Sequence, residues 1–329
     1  MPKLRVNEID LYYQVTGQGE PLVFIHGLGS SSRDWAFQVD HFYQDYQVVV
    51  FDVRGHGESD KPPGPYSVPL FAQDTAELLQ ALEIAPTHVV GVSMGGMIGF
   101  QLVLDAPELV RSLVVVNSSP ELVARTLKDR LKVWQRTLIV RLLGVRKMGE
   151  VLADRLFPKP EQAQIHQEFI ERWGQNDPRA YRESMRALVG WSVSDRLASI
   201  QRPVLVVTAD QDYTPVSEKA AYTQRLPQGK LAVIEDSRHG TPADQPQVFN
   251  QVVGDFLKEH SAGGCDPGTH GPVGILTTKT RRRFKGHKVC GTTLCQSPSA
   301  YKFEINSGVR PGLESSQVRV VSRGKVSSE

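Results

Sequence analysis

Cysteine is nearly missing from this sequence. Only Cys265, Cys290 and Cys295 occur among 329 residues, all near the C-terminus. Everything before them lacks a disulfide framework, which excludes the stapled scaffolds of small secreted domains. Long apolar runs are also missing. None approaches the roughly 20 residues that a helix needs to cross a bilayer, so no membrane partner is expected. The opening Met1-Pro2-Lys3-Leu4 has no apolar stretch of the secretory kind, and the expected compartment is the cytoplasm. Charge of one sign is not in excess either, with 38 Lys+Arg against 36 Asp+Glu.

That balance conceals two materials. From Ser261 onward there are 11 basic and 4 acidic residues, leaving 27 and 32 in the body. The segment 261–329 scatters Gly, Ser, Thr and Lys/Arg without a clear period. It is expected to be a basic, disordered tail, with short β-like pieces such as Val318–Val321. Arg281-Arg282-Arg283, with Lys285 and Lys288, is taken as a solvated charge run rather than a nucleic-acid site. His287, Cys290 and Cys295 lack a recognised four-ligand spacing, so no metal is expected.

The body, 1–260, is ordinary globular material. Leu22–Ile25, Val48–Phe51, Val89-Val90, Leu113–Val116 and Val204–Val207 are short apolar runs rich in β-branched residues. Such runs suit strands buried on both faces of a parallel sheet. Asp10–Val15 alternates as a strand does, and 71–82, 94–105 and 243–258 have helical spacing. Strands alternating with helices imply an α/β layered sheet. Residues 119–197 break the alternation. They are helical in period, with no convincing strand, and are expected to be a cap inserted above the carboxyl ends of the strands, where such sheets bind ligands.

Chemistry concentrates at the strand ends. Gly91-Val92-Ser93-Met94-Gly95-Gly96 follows one buried run and opens a helix. This is G-x-S-x-G in the context it requires, a sharp turn that exposes a serine hydroxyl. The N–H of Met94, at a helix start, is aimed where an oxyanion forms. His26-Gly27-Leu28-Gly29 follows another strand, and the N–H of Leu28 is the second expected oxyanion donor. His26 and His56 are taken as structural. Asp52 and Arg54 are expected to bridge loops by a charged pair. A serine needs a base, and the base needs a third group to orient it. Asp210 and Asp212 lie in the loop after Val204–Val207, and His239 stands just past the strand Leu231–Ile234. The order Ser, Asp, His is the one this kind of hydrolase uses.

With these residues assembled, the chain resembles the α/β-hydrolase family over roughly residues 1–260. The resemblance rests on His26-Gly27-Leu28-Gly29, Asp52-x-Arg54-Gly55-x-Gly57-x-Ser59, Gly91-x-Ser93-x-Gly95-Gly96, Asp212 and His239. It implies a mostly parallel eight-stranded sheet flanked by helices, a helical cap, and a triad of Ser93, His239 and Asp212. It favours Asp212 over Asp210, and no cofactor is implied. The run Asn117-Ser118 offers no carboxylate at the other position some members use. Serine at position 93 separates the chain from relatives with an aspartate nucleophile. Among the branches, esterases, haloperoxidase-like esterases and 3-oxoadipate enol-lactonases are similar in motif. The expected function is cleavage of a small-molecule ester or lactone through an acyl-enzyme. The alternatives are a carbon–carbon bond hydrolase of ring-fission products and a non-catalytic receptor on the same fold. Trp134, Leu138, Trp173 and Trp191 are candidates for an apolar pocket in the cap or for its internal packing.

Overall fold

A computed structural model describes residues 2–261 and 318–321. Its strands are β1 (Lys3–Val6), β2 (Ile9–Thr16), β3 (Glu20–Ile25), β4 (Tyr46–Phe51), β5 (Thr87–Val92), β6 (Val110–Val116), β7 (Val204–Ala209), β8 (Gly229–Ile234) and β9 (Val318–Val321). They form one sheet in the order β1-β2-β4-β3-β5-β6-β7-β8-β9. From β4 through β8 each neighbouring pair is parallel, while β1 and β2 enter antiparallel at one edge. The eight expected strands are present. A ninth, β9, pairs antiparallel with β8. It is the described part of the expected tail beyond Ser261. The rest of that tail, with its arginine run and all three cysteines, lies outside the described residues.

The buried apolar runs divide by the two-residue period of a strand. In β3, Leu22 and Phe24 pack toward one face while Val23 and Ile25 pack toward the other, all four fully buried. The first face is covered by α1 (Ala36–Phe42), through Phe42, and by the helix Pro246–Glu259 through Phe249 and Val253. The second is covered by α2 (Val68–Ala81) and α3 (Met94–Asp105). Both sides being apolar is what makes these strands continuous hydrophobic runs rather than alternating ones.

Between β6 and β7 the chain leaves the sheet as α4 (Leu127–Leu156), α5 (Ala163–Gly174) and α6 (Pro178–Leu188). The first begins at a capping box of Thr126 and Asp129 and is interrupted at Gly144, whose φ of 84° is outside the helical region. The third begins at Asp177, whose side chain accepts the Ala180 N–H at 2.7 Å. Beyond β7 come α7 (Val216–Thr223), then α8 (Thr241–Asp244) and α9 (Pro246–Glu259). The helical period over 243–258 is thus divided at Pro246, because proline cannot supply the N–H that would continue the helix.

Arg54 and Asp52 hold loops, though not each other. The guanidinium of Arg54 makes a two-pronged contact with Asp74 of α2, at 2.7 and 2.6 Å. Asp52 instead accepts the backbone N–H groups of Ser32 and Glu58, both at 2.7 Å. The Arg54–Asp74 pair is nearly removed from solvent, at 9% and 1% exposure. Removing one partner of such a pair strands a buried charge. Asp74→Ala is therefore expected to cost about 3–5 kcal/mol of stability, measured by urea unfolding. A cost below about 1 kcal/mol, typical of a surface pair, would show that the pair is not the tie described.

Candidate active site

Ser93 closes β5 and precedes α3. Its φ is 53° with ψ −114°, a conformation that costs a non-glycine residue on the order of 1–3 kcal/mol. Two hydrogen bonds hold it there. The Ser93 N–H donates to the Val116 carbonyl at 2.9 Å, and the Ser118 hydroxyl donates to the Ser93 carbonyl at 2.6 Å. The flanking glycines are needed for contact reasons. A Cβ on Gly91 would stand 2.2 Å from the Gly95 carbonyl oxygen, and one on Gly95 would stand 2.1 Å from that of Ile25. The turn, the helix start and the end of β3 are pressed together closely enough that only hydrogen fits.

The end of β3 brings the glycine-rich loop beside Ser93. A Cβ built on Gly27 would lie 3.5 Å from the Ser93 Cβ. Leu28 follows in that loop, and Met94 opens α3, where the first N–H groups of a helix have no partner within it. The two residues expected to supply oxyanion donors therefore come from the two segments that flank Ser93. His26 braces the loop. Its Nε2 accepts the Val53 N–H at 2.9 Å, and its Nδ1 lies 2.8 Å from the Gly27 carbonyl. Burial pushes the His26 imidazole below its ordinary pKa, and burial pushes His56 down to about 3. Both are neutral bracing groups.

His239 and Asp212 meet directly. His239 Nδ1 lies 2.5 Å from Asp212 Oδ1. Asp210 takes a different place, accepting the Ser237 N–H at 3.1 Å. The ring of Tyr213 stacks on His239 with centroids 4.2 Å apart. The loop carrying His239 is fixed by Asp244, which accepts the Ser237 hydroxyl at 3.0 Å and the Arg238 N–H at 2.9 Å.

Asn117 joins the pieces, and sequence reasoning passed over it. It follows β6 directly, at φ 44°. Its amide nitrogen donates to the His239 carbonyl at 3.0 Å and to the Thr241 hydroxyl at 2.7 Å, while its amide oxygen accepts the Ala209 N–H at 2.8 Å. Its neighbours Val116 and Ser118 hold Ser93. One three-residue stretch thus positions the serine turn, the end of β7 and the histidine loop. The available signal was an asparagine right after a buried strand, a residue type that tolerates positive φ.

Lys219 was also missed. It lies on α7, where a lysine ordinarily faces water, yet it is 1% exposed. Its ammonium is bonded to Asp212 Oδ2, to the Thr214 hydroxyl and to the Thr214 carbonyl. Asp212 is therefore held between a histidine on one oxygen and a lysine on the other.

The cap reaches both loops. Trp173 of α5 packs on Gly29, where an added Cβ would stand 2.7 Å from the indole, and Phe157 packs on Gly240. Trp173 also stacks with Phe169. Trp191 donates to the Gln101 side chain at 2.9 Å, and Trp134 faces solvent at 58% exposure. Of the four residues suggested for an apolar pocket or for packing within the cap, Trp134 is thus placed elsewhere, and the half-buried Leu138 lies one turn along the same helix. A cavity of about 230 Å³ lies between α4 and α6, against Arg136, Val140, Tyr181 and Met185. Another of about 350 Å³ touches Ser118, Thr214, Lys219 and Tyr222, behind Asp212. Neither is lined by Ser93 or His239.

Comparison with known proteins accords with this architecture. Residues 20–246 match the family described as alpha/beta hydrolase fold. The chain is 29% identical over 262 residues to 3-oxoadipate enol-lactonase 2 of Acinetobacter baylyi, spanning 78% of this chain and 96% of that one. It is 30% identical to a putative carbamate hydrolase RutD of Caulobacter sp. (strain K31), spanning 77% and 97%. Among solved structures, the enol-lactonase of Burkholderia xenovorans LB400 superposes with a TM-score of 0.71 at 22% identity, covering 78% of this chain and 99% of that one. The chain belongs to the α/β-hydrolase fold family. It is a hydrolase of that fold.

The Asp212 environment sets a pH dependence. Burial pushes its carboxyl up, but the hydrogen bond and charge of His239, with the ammonium of Lys219, outweigh this and hold it below the usual carboxylate range. A group depressed in the folded state stabilises above its unfolded pKa, and that contribution disappears as pH falls through the folded value. Lys219→Met is expected to cost about 3–5 kcal/mol near neutral pH. The gap to wild type should close as pH drops below about 4, measured by urea unfolding across pH. A cost independent of pH would assign Lys219 to packing alone.

Proposed function

We propose that this chain is a serine hydrolase that cleaves a carboxylic ester or lactone of a small molecule through an acyl-enzyme. The observation that carries the reading is the His239–Asp212 contact at 2.5 Å, fixed by Asn117 to the same strand end that holds Ser93 in its strained turn. Ser93 is the nucleophile, His239 the general base and Asp212 the group that orients it. The N–H groups of Leu28 and Met94 form the oxyanion hole. The residues 119–197 act as the cap that shapes the acyl pocket, on the hydrolase body 1–260.

The steps follow from these roles. The Ser93 oxygen attacks the carbonyl carbon as His239 Nε2 takes the hydroxyl proton. Negative charge gathers on the carbonyl oxygen, where the two N–H groups receive it; one such donor is typically worth about 3–4 kcal/mol. The tetrahedral species collapses, the carbon–oxygen bond to the leaving alcohol breaks, and His239 returns the proton to that oxygen. Water then gives its proton to His239 as it attacks the ester carbon, and Ser93 leaves with the proton restored. Asp212 holds Nδ1–H throughout, so that Nε2 is the free base. The lactonase and carbamate-hydrolase relatives support an acyl substrate of this kind.

A fluorophosphonate probe tests the chemistry. Wild type should be labelled stoichiometrically at Ser93, read by intact mass, and Ser93→Ala should not be labelled. Turnover on a panel of p-nitrophenyl esters and small lactones should fall by about 10³-fold or more in that variant. A folded wild type that takes no label would mean that the serine is not activated, and would favour a non-catalytic receptor.

A further inference from the structure

The solvent side of the cap is apolar where a surface helix should be polar. Eleven large apolar side chains stand exposed among the described residues, and seven of them fall between Leu122 and Leu143. Scattered singly they would need no account; with five of them on one helix, α4, they do. Leu127 is 84% exposed, Leu131 51%, Trp134 58% and Leu142 68%. At about 100° per residue, these four and the half-buried Leu138 lie within an arc of roughly 80°. They form a ridge about 22 Å long at 1.5 Å per residue. The opposite side of the helix is the packed one, where Val140 is buried and Arg136 donates to the Tyr181 hydroxyl at 2.8 Å.

Charge identifies what the ridge meets. Between Arg125 and Lys147 there are eight basic residues and one acidic, Asp129. The body as a whole is acidic, so this is a local concentration. Arg130 and Arg141 are exposed along one margin of the ridge. The Asp129 carboxylate is engaged at the helix start, where it accepts the Thr126 N–H and hydroxyl. A second copy of the chain fits poorly, since a two-fold contact brings the same patch against itself and sets arginine against arginine. A convex ridge of leucines with a central tryptophan and a basic margin has the composition of a helix that lies in a lipid interface.

We infer that the first part of α4, Leu127–Leu143, is a docking surface for an anionic membrane, with Leu127, Leu131, Trp134 and Leu142 entering the headgroup boundary while Arg130 and Arg141 contact lipid phosphates. This is peripheral attachment. Among the described residues no helix is long and apolar enough to cross a membrane. The inference revises the expectation of no membrane partner, and it stands apart from the chemistry proposed for Ser93.

The test uses the full chain with vesicles of phosphatidylcholine, alone or mixed with phosphatidylglycerol, at low and high salt. Wild type should sediment with the mixed vesicles at low salt and remain in solution with the neutral ones. High salt should release it, because exposed charges are screened. Trp134 is the one strongly exposed tryptophan among four, since Trp35 and Trp173 are buried and Trp191 is half-buried. Binding should therefore shift the emission to the blue, and Trp134→Phe should abolish the shift. The pair Leu131→Glu and Trp134→Glu, at exposed positions outside the buried core, should weaken binding at least about tenfold at unchanged melting temperature. Three results overturn the inference: no sedimentation of wild type, undiminished binding by the double variant, which would assign attachment to the basic segment after Ser261, or a dimer by light scattering that the double variant breaks.

Discussion

A carboxylate taken out of water must recover its lost solvation from other groups, and Asp212 shows what that demands of a fold. With 1% exposure it keeps its charge only because His239 sits on one oxygen and Lys219 on the other. The histidine contributes a hydrogen bond and part of the charge that favours the anion. The lysine supplies the full opposite charge, and is itself buried only because the carboxylate and both oxygens of Thr214 receive it. Neither partner is tolerable without the other. A consequence follows for the proposed chemistry. The negative charge that would steady an imidazolium is already shared with Lys219, so in that proposal Asp212 would act mainly by fixing the ring and its tautomer.

Tying that arrangement to the segment that holds Ser93 brings together residues more than a hundred positions apart, as Asn117 and His239 are, and the parallel sheet accomplishes it. Consecutive strands end on the same side, so the loops after β3, β5, β6, β7 and β8 converge. Convergence alone leaves loops free to shift. Asn117 removes that freedom by bonding to the histidine loop and the end of β7 while its neighbours fix Ser93. The strain at Ser93 persists because this surrounding network over-determines it. The serine turn is therefore tied at its base on several sides, and the helices between β6 and β7 pack on Gly29 and Gly240 beside it.

How far the sequence revealed this differs between elements for physical reasons. The central strands were legible because burial on both faces writes them as unbroken Val, Leu and Ile runs. The serine turn was legible because glycines at 91 and 95 are required by contacts of about 2 Å with backbone oxygen. Asp212 and Asp210 were separable only through family pattern; the two differ in what they touch, which spacing does not encode. Lys219 was illegible, since a lysine on an amphipathic helix is normally solvated and its burial comes from a carboxylate seven positions earlier. Arg54 was paired with the wrong acid in sequence, because the partner lies on α2, twenty positions on. The helical cap was visible as a break in alternation. Which of its tryptophans faces inward was not, because periodicity gives a face only when one side is polar.

That last failure and the docking surface have one cause. The first part of α4 is apolar on two sides, so its hydrophobic period is blurred, and a reader of the sequence places Trp134 either in a pocket or in the packing of the cap. In the structure the inner side is occupied by α6, through Tyr181 and its bond from Arg136. The outer side is left with leucines that no part of the hydrolase body needs. Stability does not account for them, because an exposed leucine gains nothing from folding. A polar residue there would serve the isolated molecule better. The charged residues among the leucines are basic but for Asp129, with Arg130 and Arg141 exposed beside them, which suits an anionic surface and suits neither the core nor a copy of the same patch. The helix thus has one face set by packing and another set by what lies outside the chain.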